Sequence, residues 1–597
     1  MTSAPTSDRP AAAAFSPRAR WWVSPLTLAV VFTALGSLKP IHIDEAANYY
    51  YAVHIADHPL DPFGFQVFWY HEPQHANTVL TPPVMVSWWG AGVHLLKVLG
   101  MQPLEQPVAL WKLWLWPFTL LFTFALDALL RRFARGLETP LLWMTVLSPT
   151  ILPGLNLMPD VPALALSLGA LAVFLRAIQT EGKAALAGAC LAGLLAGLAT
   201  QTKYTGFLAP AVLLVAAGLF GRMRLALLAA AEAVLLFVAW EWVTARLYGE
   251  SHFLYQLRHA SRTLPDRLGL LPALITTLGG VAPVLGLLGL AALGAGRRVV
   301  WAGMAVVALG YLTVACVGVN FTVQAEVTSL FGSVPKQDFE FSLADVLYFA
   351  WGLGLSVIGA MVGGRLCRFG GAGWRGRLAR WRGYRAEWFL MLWLLLEVAG
   401  YFALSPFPAV RRVMGMFLAA SVLTGRLASR TCRFGERRAL VNRLAVCSGV
   451  LGLGFLAVDV LEAHTQKEAA ETLARQIHRQ GEGGMVWYVG HWGFQYYAER
   501  AGMVPVVPGQ SRLRVGDWLI LPDRRLIQQL IEVDQERTVL VNYWASRDRV
   551  PLRTLMGYYG GWTPLDHRPL SRPRLLVEVR RVVGDFVPAF PRSGAAP

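Results

Sequence analysis

The sequence predicts a polytopic α-helical membrane protein with a small α/β domain at its C-terminal end. Three observations carry that expectation. Of 597 residues, 55% are hydrophobic and 15% charged, with a mean hydropathy of +0.45. Soluble domains carry about a quarter charged residues, so most of this chain is built for lipid. Apolar windows of about twenty residues recur from Trp22 to Leu461, each long enough to cross about 30 Å of hydrocarbon. From Glu468 onward the composition turns soluble-like.

The first span, Trp22–Leu38, follows Arg9, Arg18 and Arg20, as a signal peptide would. It is longer than a signal's apolar core and ends in K-P-I-H-I-D-E without a small-residue cleavage site, so it reads as a retained helix behind a cytoplasmic tail, 1–21. Further spans are expected at Val108–Leu130, Leu141–Leu155, Val161–Ala177, Ala184–Thr200, Gly206–Phe220, Leu225–Ala245, Leu270–Leu293, Val299–Val319, Ala344–Gly363, Trp388–Leu404, Val413–Leu427 and Leu444–Leu461. That makes about thirteen helices in a membrane domain, 22–463. Counting Pro82–Leu99 as another span would move Arg131–Arg135 to the wrong face. That stretch is therefore expected as a juxtamembrane or re-entrant helix within a first outer loop, 39–107, with Trp88, Trp89 and His94 at the interface.

The net charge of +17 reports orientation. Arginines cluster in short connections (Arg131 to Arg135, Arg222 and Arg224, Arg297 and Arg298, Arg365 to Arg385, Arg426 to Arg443), which is the positive-inside pattern rather than a nucleic-acid stripe. It places the N-terminus inside and residues 464–597 outside a plasma (inner) membrane that the chain crosses many times. The five cysteines lie in apolar spans or Arg-rich loops without metal-ligand spacing, which argues against a disulfide framework. Gly188, Gly193 and Gly197 give a small-residue face for close helix approach. Gly449–Gly454, close to a nucleotide-loop pattern, sits inside an apolar run and reads as helix packing. In the C-terminal region an amphipathic stretch (Ala470–Arg479) precedes strands at Met485–Val489, Trp518–Leu521 and Thr538–Tyr543, with helices at Phe494–Ala501 and Arg525–Val533.

Polar residues converge on the outer side. The first outer loop supplies Asp44, Glu45, His54, Asp57, His58, Asp61, His71, Glu72 and His75. Asp160 stands between Pro159 and Pro162 region prolines, Lys203 and Tyr204 occupy the next outer turn, and Arg411 and Arg412 precede the twelfth span. Acids and cations together on one membrane face suit a lipid with an anionic headgroup and an acceptor that must lose a proton. Each residue also has a plain explanation. Lys203 snorkels as a helix-end lysine does, Asp160 caps the helix at Val161, and Asp44 and Glu45 cap Ala46–Ala56. Two acids at a bilayer edge favour function, and Arg411 and Arg412 break the positive-inside pattern. His71-Glu72-Pro73-Gln74-His75 matches H-E-x-x-H, which needs both histidines on one helix face. Pro73 disfavours that geometry, so a zinc site is not expected there.

These residues carry a resemblance. The strings D-E-A-A-N-Y-Y (Asp44–Tyr50), the Pro82-Pro83 helix, M-P-D-V-P-A-L-A-L (Met158–Leu166) and T-K-Y-T-G (Thr202–Gly206) are similar to those of GT-C glycosyltransferases of the family 39/83 group. That group includes protein O-mannosyltransferases and lipid A aminoarabinose transferases. The similarity runs from the first helix to about Leu427. It implies a GT-C-type membrane domain that uses a polyprenyl-phosphate sugar, hexosyl or pentosyl, at an outer active site of the cell envelope. By resemblance Asp44 is the base or acceptor-orienting acid and Asp160 the second acid; Glu45, beside Asp44, is expected with them as a catalytic acid. Lys203 with Tyr204, Arg411, Arg412, His58 and His75 would serve substrate binding. The related pattern has Arg-Tyr where this chain has Arg412-Val413, which leaves open which arginine meets the phosphate. The lipid-linked sugar donor is the cosubstrate expected, a divalent metal is not indicated by the sequence, and the acceptor is a lipid, glycan or protein. The rival reading is a transporter or flippase of a lipid-linked sugar, which would show inverted repeats. The sequence has no convincing internal repeat.

Overall fold

The computed structural model describes residues 23–69, 72–79, 82–102, 107–259, 267–325, 328–329, 332–333, 337–367, 383–431, 436–480, 483–523, 526, 531–554 and 558–590. The tail 1–21 and His71 lie outside the described residues.

Helices form wherever the apolar windows run. Among the described residues eight are long and apolar enough to cross a membrane, or nine if Leu270–Val281 and Pro283–Ala292 make one span. That pair bends by 81° at Ala282, where Pro283 opens the second helix and cannot continue the first one's hydrogen bonds. The expected spans at the first helix and at Gly206–Phe220 are present as shorter apolar helices, Val23–Ser37 and Leu208–Phe220. The expected span Leu141–Leu155 is not one helix. Glu138–Val146 stops before Pro149, and a 3₁₀ turn, Leu152–Gly154, follows at Pro153. The prolines explain the break, and the resulting loop brings Leu157 and Met158 against the segment around Asp44 and Glu45.

Small residues set the helix spacing. A side chain at Gly193 would meet the Ala229 carbonyl oxygen at 2.8 Å, and one at Gly197 the Ala233 Cα at 3.2 Å, so Gly182–Thr200 lies directly against Met223–Tyr248. Gly452 touches Leu147 in the same way, which makes the Gly449–Gly454 string a packing surface. Pro83–Val98 is a helix of 16 residues laid against Glu45–Asp57, with Trp88 stacked on Trp114 at 5.1 Å.

The last apolar span does not end at the membrane. Leu444–Leu461 and the amphipathic stretch after it form a single helix, Glu436–Arg479, of 44 residues and about 65 Å. It passes straight through 463–464, where the domain boundary is expected. Beyond it a five-stranded mixed sheet runs in the order Thr538–Ala545, Leu576–Val582, Trp518–Pro522, Val486–Tyr488, Val504–Pro505. Trp518–Pro522 is buried along its whole length, as a central strand should be. It pairs antiparallel with Leu576–Val582 and parallel with Val486–Tyr488. The helix Trp492–Arg500 stands where one is expected. Arg525–Val533 falls mostly outside the described residues, and its described end is extended, with Glu532 bridged to Ala589.

This sheet region shares one hydrophobic core with the membrane helices, continuous from Leu28 to Val579. Polar contacts bind the two as firmly. Lys39 Nζ donates to Asp459 Oδ2 at 2.9 Å, to the Tyr559 hydroxyl at 2.8 Å and to the Pro153 carbonyl at 3.1 Å. Tyr559 and Thr554 donate to the same Asp459 carboxylate at 2.8 and 3.1 Å. The side chains of Lys39 and Asp459 have no exposed surface. Removing one partner of such a pair strands a buried charge. Asp459→Ala should therefore lower stability by about 3–5 kcal/mol, whereas Lys39→Met with Asp459→Leu should recover most of it. Thermal unfolding in detergent checks both; an unchanged midpoint in Asp459→Ala would show that the pair is not a structural tie.

Candidate functional site

The site begins at a strained turn. Ile43, β-branched, sits at φ +53°, a conformation costly for such a side chain and kept only where the surroundings over-determine it. The surroundings here are polar and specific. Glu45 accepts the His42 amide at 2.7 Å and the Leu157 amide at 2.6 Å, and pairs with Lys112 at 2.8 Å. The Ile41 amide donates to the Tyr497 hydroxyl at 3.0 Å. Burial lowers the His42 imidazole to about 3, against the pull of Asp459, so the ring between these charges is neutral at physiological pH.

With Glu45 so engaged, Asp44 faces the other way. It stands at the N-cap of Glu45–Asp57 but makes no side-chain cap bond. Its Oδ2 instead accepts from Arg411 Nη1 at 2.9 Å. Arg411 and Arg412 lie in a 3₁₀ turn, Val410–Arg412, directly before Met414–Thr431. Asp160, the first residue of its helix, likewise makes no cap and pairs with Lys203, which holds an extended backbone after Gly182–Thr200.

Asp160, Lys203, Arg411 and Arg412 line one cavity. Its upper wall is charged; its lower wall is apolar, formed by Leu164, Leu168, Leu171, Val212 and Leu418. Arg411 answers Asp44 and Lys203 answers Asp160. Arg412 answers nothing: its Nε is buried without a partner, it forms no ion pair with a described residue, and its guanidinium lies 5.1 Å from the Phe407 ring. Burial, followed by Arg411, lowers it to about 10. Burial also draws Lys203 down to about 8 against the attraction of Asp160. With Asp44 and Asp160 set against Lys203, Arg411 and Arg412, the cluster has one uncompensated positive charge. A cation buried this way is costly until an anion arrives.

The other expected site residues lie elsewhere. Glu45 is held behind the turn, so its carboxylate is committed to packing. Tyr204 bonds the His252 ring at 2.7 Å and stacks on Phe207, outside the cavity lining. His58 ends its helix, its ring tilted against that of His54 at 4.8 Å. His75 pairs with Gln66 in a hairpin. Glu72–His75 is a strand of that hairpin, so the helical face that H-E-x-x-H requires does not form. Among the described residues no group of three or more His, Cys, Asp or Glu is arranged to hold a metal ion.

Sequence reasoning missed Glu397, Trp393 and Tyr401, which also line the cavity. Glu397 accepts from Trp393 Nε1 at 3.0 Å inside the span Arg385–Leu404. A lone acid in L-L-L-E-V-A-G was a readable signal. The Lys39–Asp459–Tyr559 tie, by contrast, joins residues hundreds of positions apart and leaves no local pattern.

No family model matches the sequence, and no curated protein does either. Solved structures similar over most of the chain include the following. The oligosaccharyltransferase of Archaeoglobus fulgidus, in complex with zinc and sulfate, has 13% identity and a TM-score of 0.41, covering 81% of this chain and 62% of its own. AglB from the same organism, with an inhibitory peptide and a dolichol-phosphate, has 12% identity and a TM-score of 0.40, covering 81% and 64%. The chain thus spans slightly less than two thirds of these archaeal proteins. ArnT from Cupriavidus metallidurans in the apo state has 14% identity and a TM-score of 0.35, covering 84% of this chain and 93% of its own.

The two kinds of cation respond differently to removal of charge. Asp160→Asn leaves Lys203 buried without its counter-ion and should cost about 3–5 kcal/mol. Arg412→Gln breaks no ion pair and should leave the thermal midpoint unchanged or raise it. Differential scanning of the two variants in one detergent checks this; equal losses would mean that Arg412 has a partner in the folded protein.

Proposed function

We propose that the protein is an integral-membrane glycosyltransferase that moves a sugar from a polyprenyl-phosphate donor to an acceptor hydroxyl on the extracytoplasmic face. One observation carries this reading: an unpaired, half-buried Arg412 beside Lys203, at the polar end of a cavity whose other end is largely apolar. An anion attached to a long hydrocarbon matches both ends. The phosphate meets Arg412 and Lys203, and the prenyl chain lies along Leu164, Leu168 and Leu418.

The chemistry follows from the charges. The acceptor oxygen forms a bond to the anomeric carbon as the bond from that carbon to the phosphate oxygen breaks. The electron pair leaves with the phosphate, whose developing charge Arg412 and Lys203 stabilise without reorganisation. The acceptor proton passes to Asp44, which Arg411 orients from 2.9 Å. A phosphate needs no proton to leave, so a single carboxylate suffices. Asp160 keeps Lys203 in place. Tyr204, His58 and His75 have no part in this reading, and Glu45 acts only by holding the turn.

Asp44→Asn preserves shape and removes the base, and loss of a positioned base costs about 10²–10⁴-fold in rate. Turnover of a radiolabelled polyprenyl-phosphate sugar should fall by that factor while donor affinity persists. Full turnover in the variant would remove Asp44 from the chemistry. Absence of any polyprenyl phosphate release by the parent protein, with labelled lipid crossing the bilayer, would favour transport instead.

The proposed face rests on the arginine-rich helix ends, which lie opposite the cavity. A reporter active only outside the cytoplasm, fused after Pro597, should be active. Activity of a cytoplasm-only reporter at that position would invert the orientation.

A further inference from the structure

Trp116–Phe133 and Asp160–Ala177 pack side by side and end together, about 25 Å along the axis from the Asp160 cavity. Arg131, Arg132 and Arg135, at and just beyond the end of the first, and Arg176 from the second converge there on an open recess, with Ala128 and Ala172 as its accessible apolar wall. Two of these cations are used within the chain. Arg131 pairs with Asp127 at 2.5 Å, and Arg132 donates to the Leu175 carbonyl at 2.9 Å while lying over the Phe133 and Phe220 rings. Arg135 and Arg176 are exposed and form no hydrogen bond or ion pair with a described residue. Four cations thus face two acids, Asp127 and the nearby Glu138, and helix C-termini supply only about half a negative charge each.

Positive-inside sorting accounts for arginines at this depth but not for their arrangement. On the same side, Arg222 is paired with Glu181, and Arg426 and Arg430 share Glu387. Arg297 and Arg298 are exposed on the first turn of a single helix. Only at the recess do free cations from two helices meet over an apolar wall, among the cation groups just named. That combination fits a phosphate whose acyl chains run down the adjacent helix surface.

We propose that this recess binds the phosphate headgroup of an anionic phospholipid in the leaflet opposite the cavity. The phosphate oxygens accept from Arg135 and Arg176, and the acyl chains pack on Ala128 and Ala172. The site is independent of the glycosyl-transfer reading, since none of its residues lines the donor cavity.

The test titrates the full-length protein with phosphatidylglycerol and, separately, phosphatidylcholine, scoring retained lipid by native mass spectrometry. Phosphatidylglycerol should be retained preferentially. The double variant Arg135→Gln with Arg176→Gln should weaken its retention about 30-fold, at about one factor of five per arginine. The equally charged control, Arg297→Gln with Arg298→Gln, should leave it unchanged. Arg135→Lys with Arg176→Lys should keep most of the affinity, which separates lost charge from lost fold. Equal weakening in both glutamine pairs would reduce the effect to general surface charge and overturn the site. So would equal retention of phosphatidylcholine, or full displacement of the lipid by equimolar inorganic phosphate.

Discussion

The structure depends on a buried ionic tie between its first turn and its last long helix. Lys39 follows the first span, Asp459 lies deep in the 44-residue helix, and Tyr559 comes from the chain's final segment. None of the three can leave the interior cheaply once the others are there. The tie therefore fixes where the C-terminal sheet sits on the membrane helices. It also anchors the segment Lys39–Asp44, whose geometry decides which way Asp44 points. Glu45 and Lys112, 2.8 Å apart and buried, complete the clamp from the other side.

Two adjacent residue pairs divide labour in the same way. Glu45 turns inward and is saturated by two amides and a lysine; Asp44 turns outward and meets Arg411. Arg411 is then occupied, which leaves Arg412 as the cation without a partner. In both pairs one residue is fully engaged by neighbours, and the other is left for the cluster of Asp44, Arg411 and Arg412. The strain at Ile43 is the conformational cost of that reversal, and it persists because the clamp on either side admits no relaxed alternative.

Much of this was legible in the sequence, and the physics explains which parts. Hydrophobic windows located the spans because burying apolar residues in lipid is a local property of the chain. They failed at Leu141–Leu155 because Pro149 and Pro153 outweigh hydropathy there. The strand Leu576–Val582 went unread although its burial pattern alternates in part, since interposed Arg580 and Arg581 disguise it. Asp44, Asp160, Lys203 and the arginine pair stood out because charge is conspicuous at a bilayer edge. Which arginine is free was not legible: that depends on Asp44 reaching across 367 positions to Arg411. His58, His75 and Tyr204 drew attention by residue type, and their partners His54, Gln66 and His252 do not line the cavity.

The cavity's polarity also has a structural cause. Its charged end is built from helix starts and connecting turns: Asp160 at the first residue of a helix, Lys203 just after one, Arg411 and Arg412 in a 3₁₀ turn. Such places are where backbone groups remain unpaired and where a membrane protein admits polar side chains. Its apolar end is built from helix interiors, where leucine and valine are the cheapest residues to expose to hydrocarbon. A gradient from cationic to apolar within one enclosed space therefore follows from stacking turns above helices. Glu397 interrupts that gradient, inside a span and beside Trp393. A carboxyl at that depth is expensive unless something uses it, so the apolar half of the cavity must accommodate at least one polar contact as well as a hydrocarbon chain.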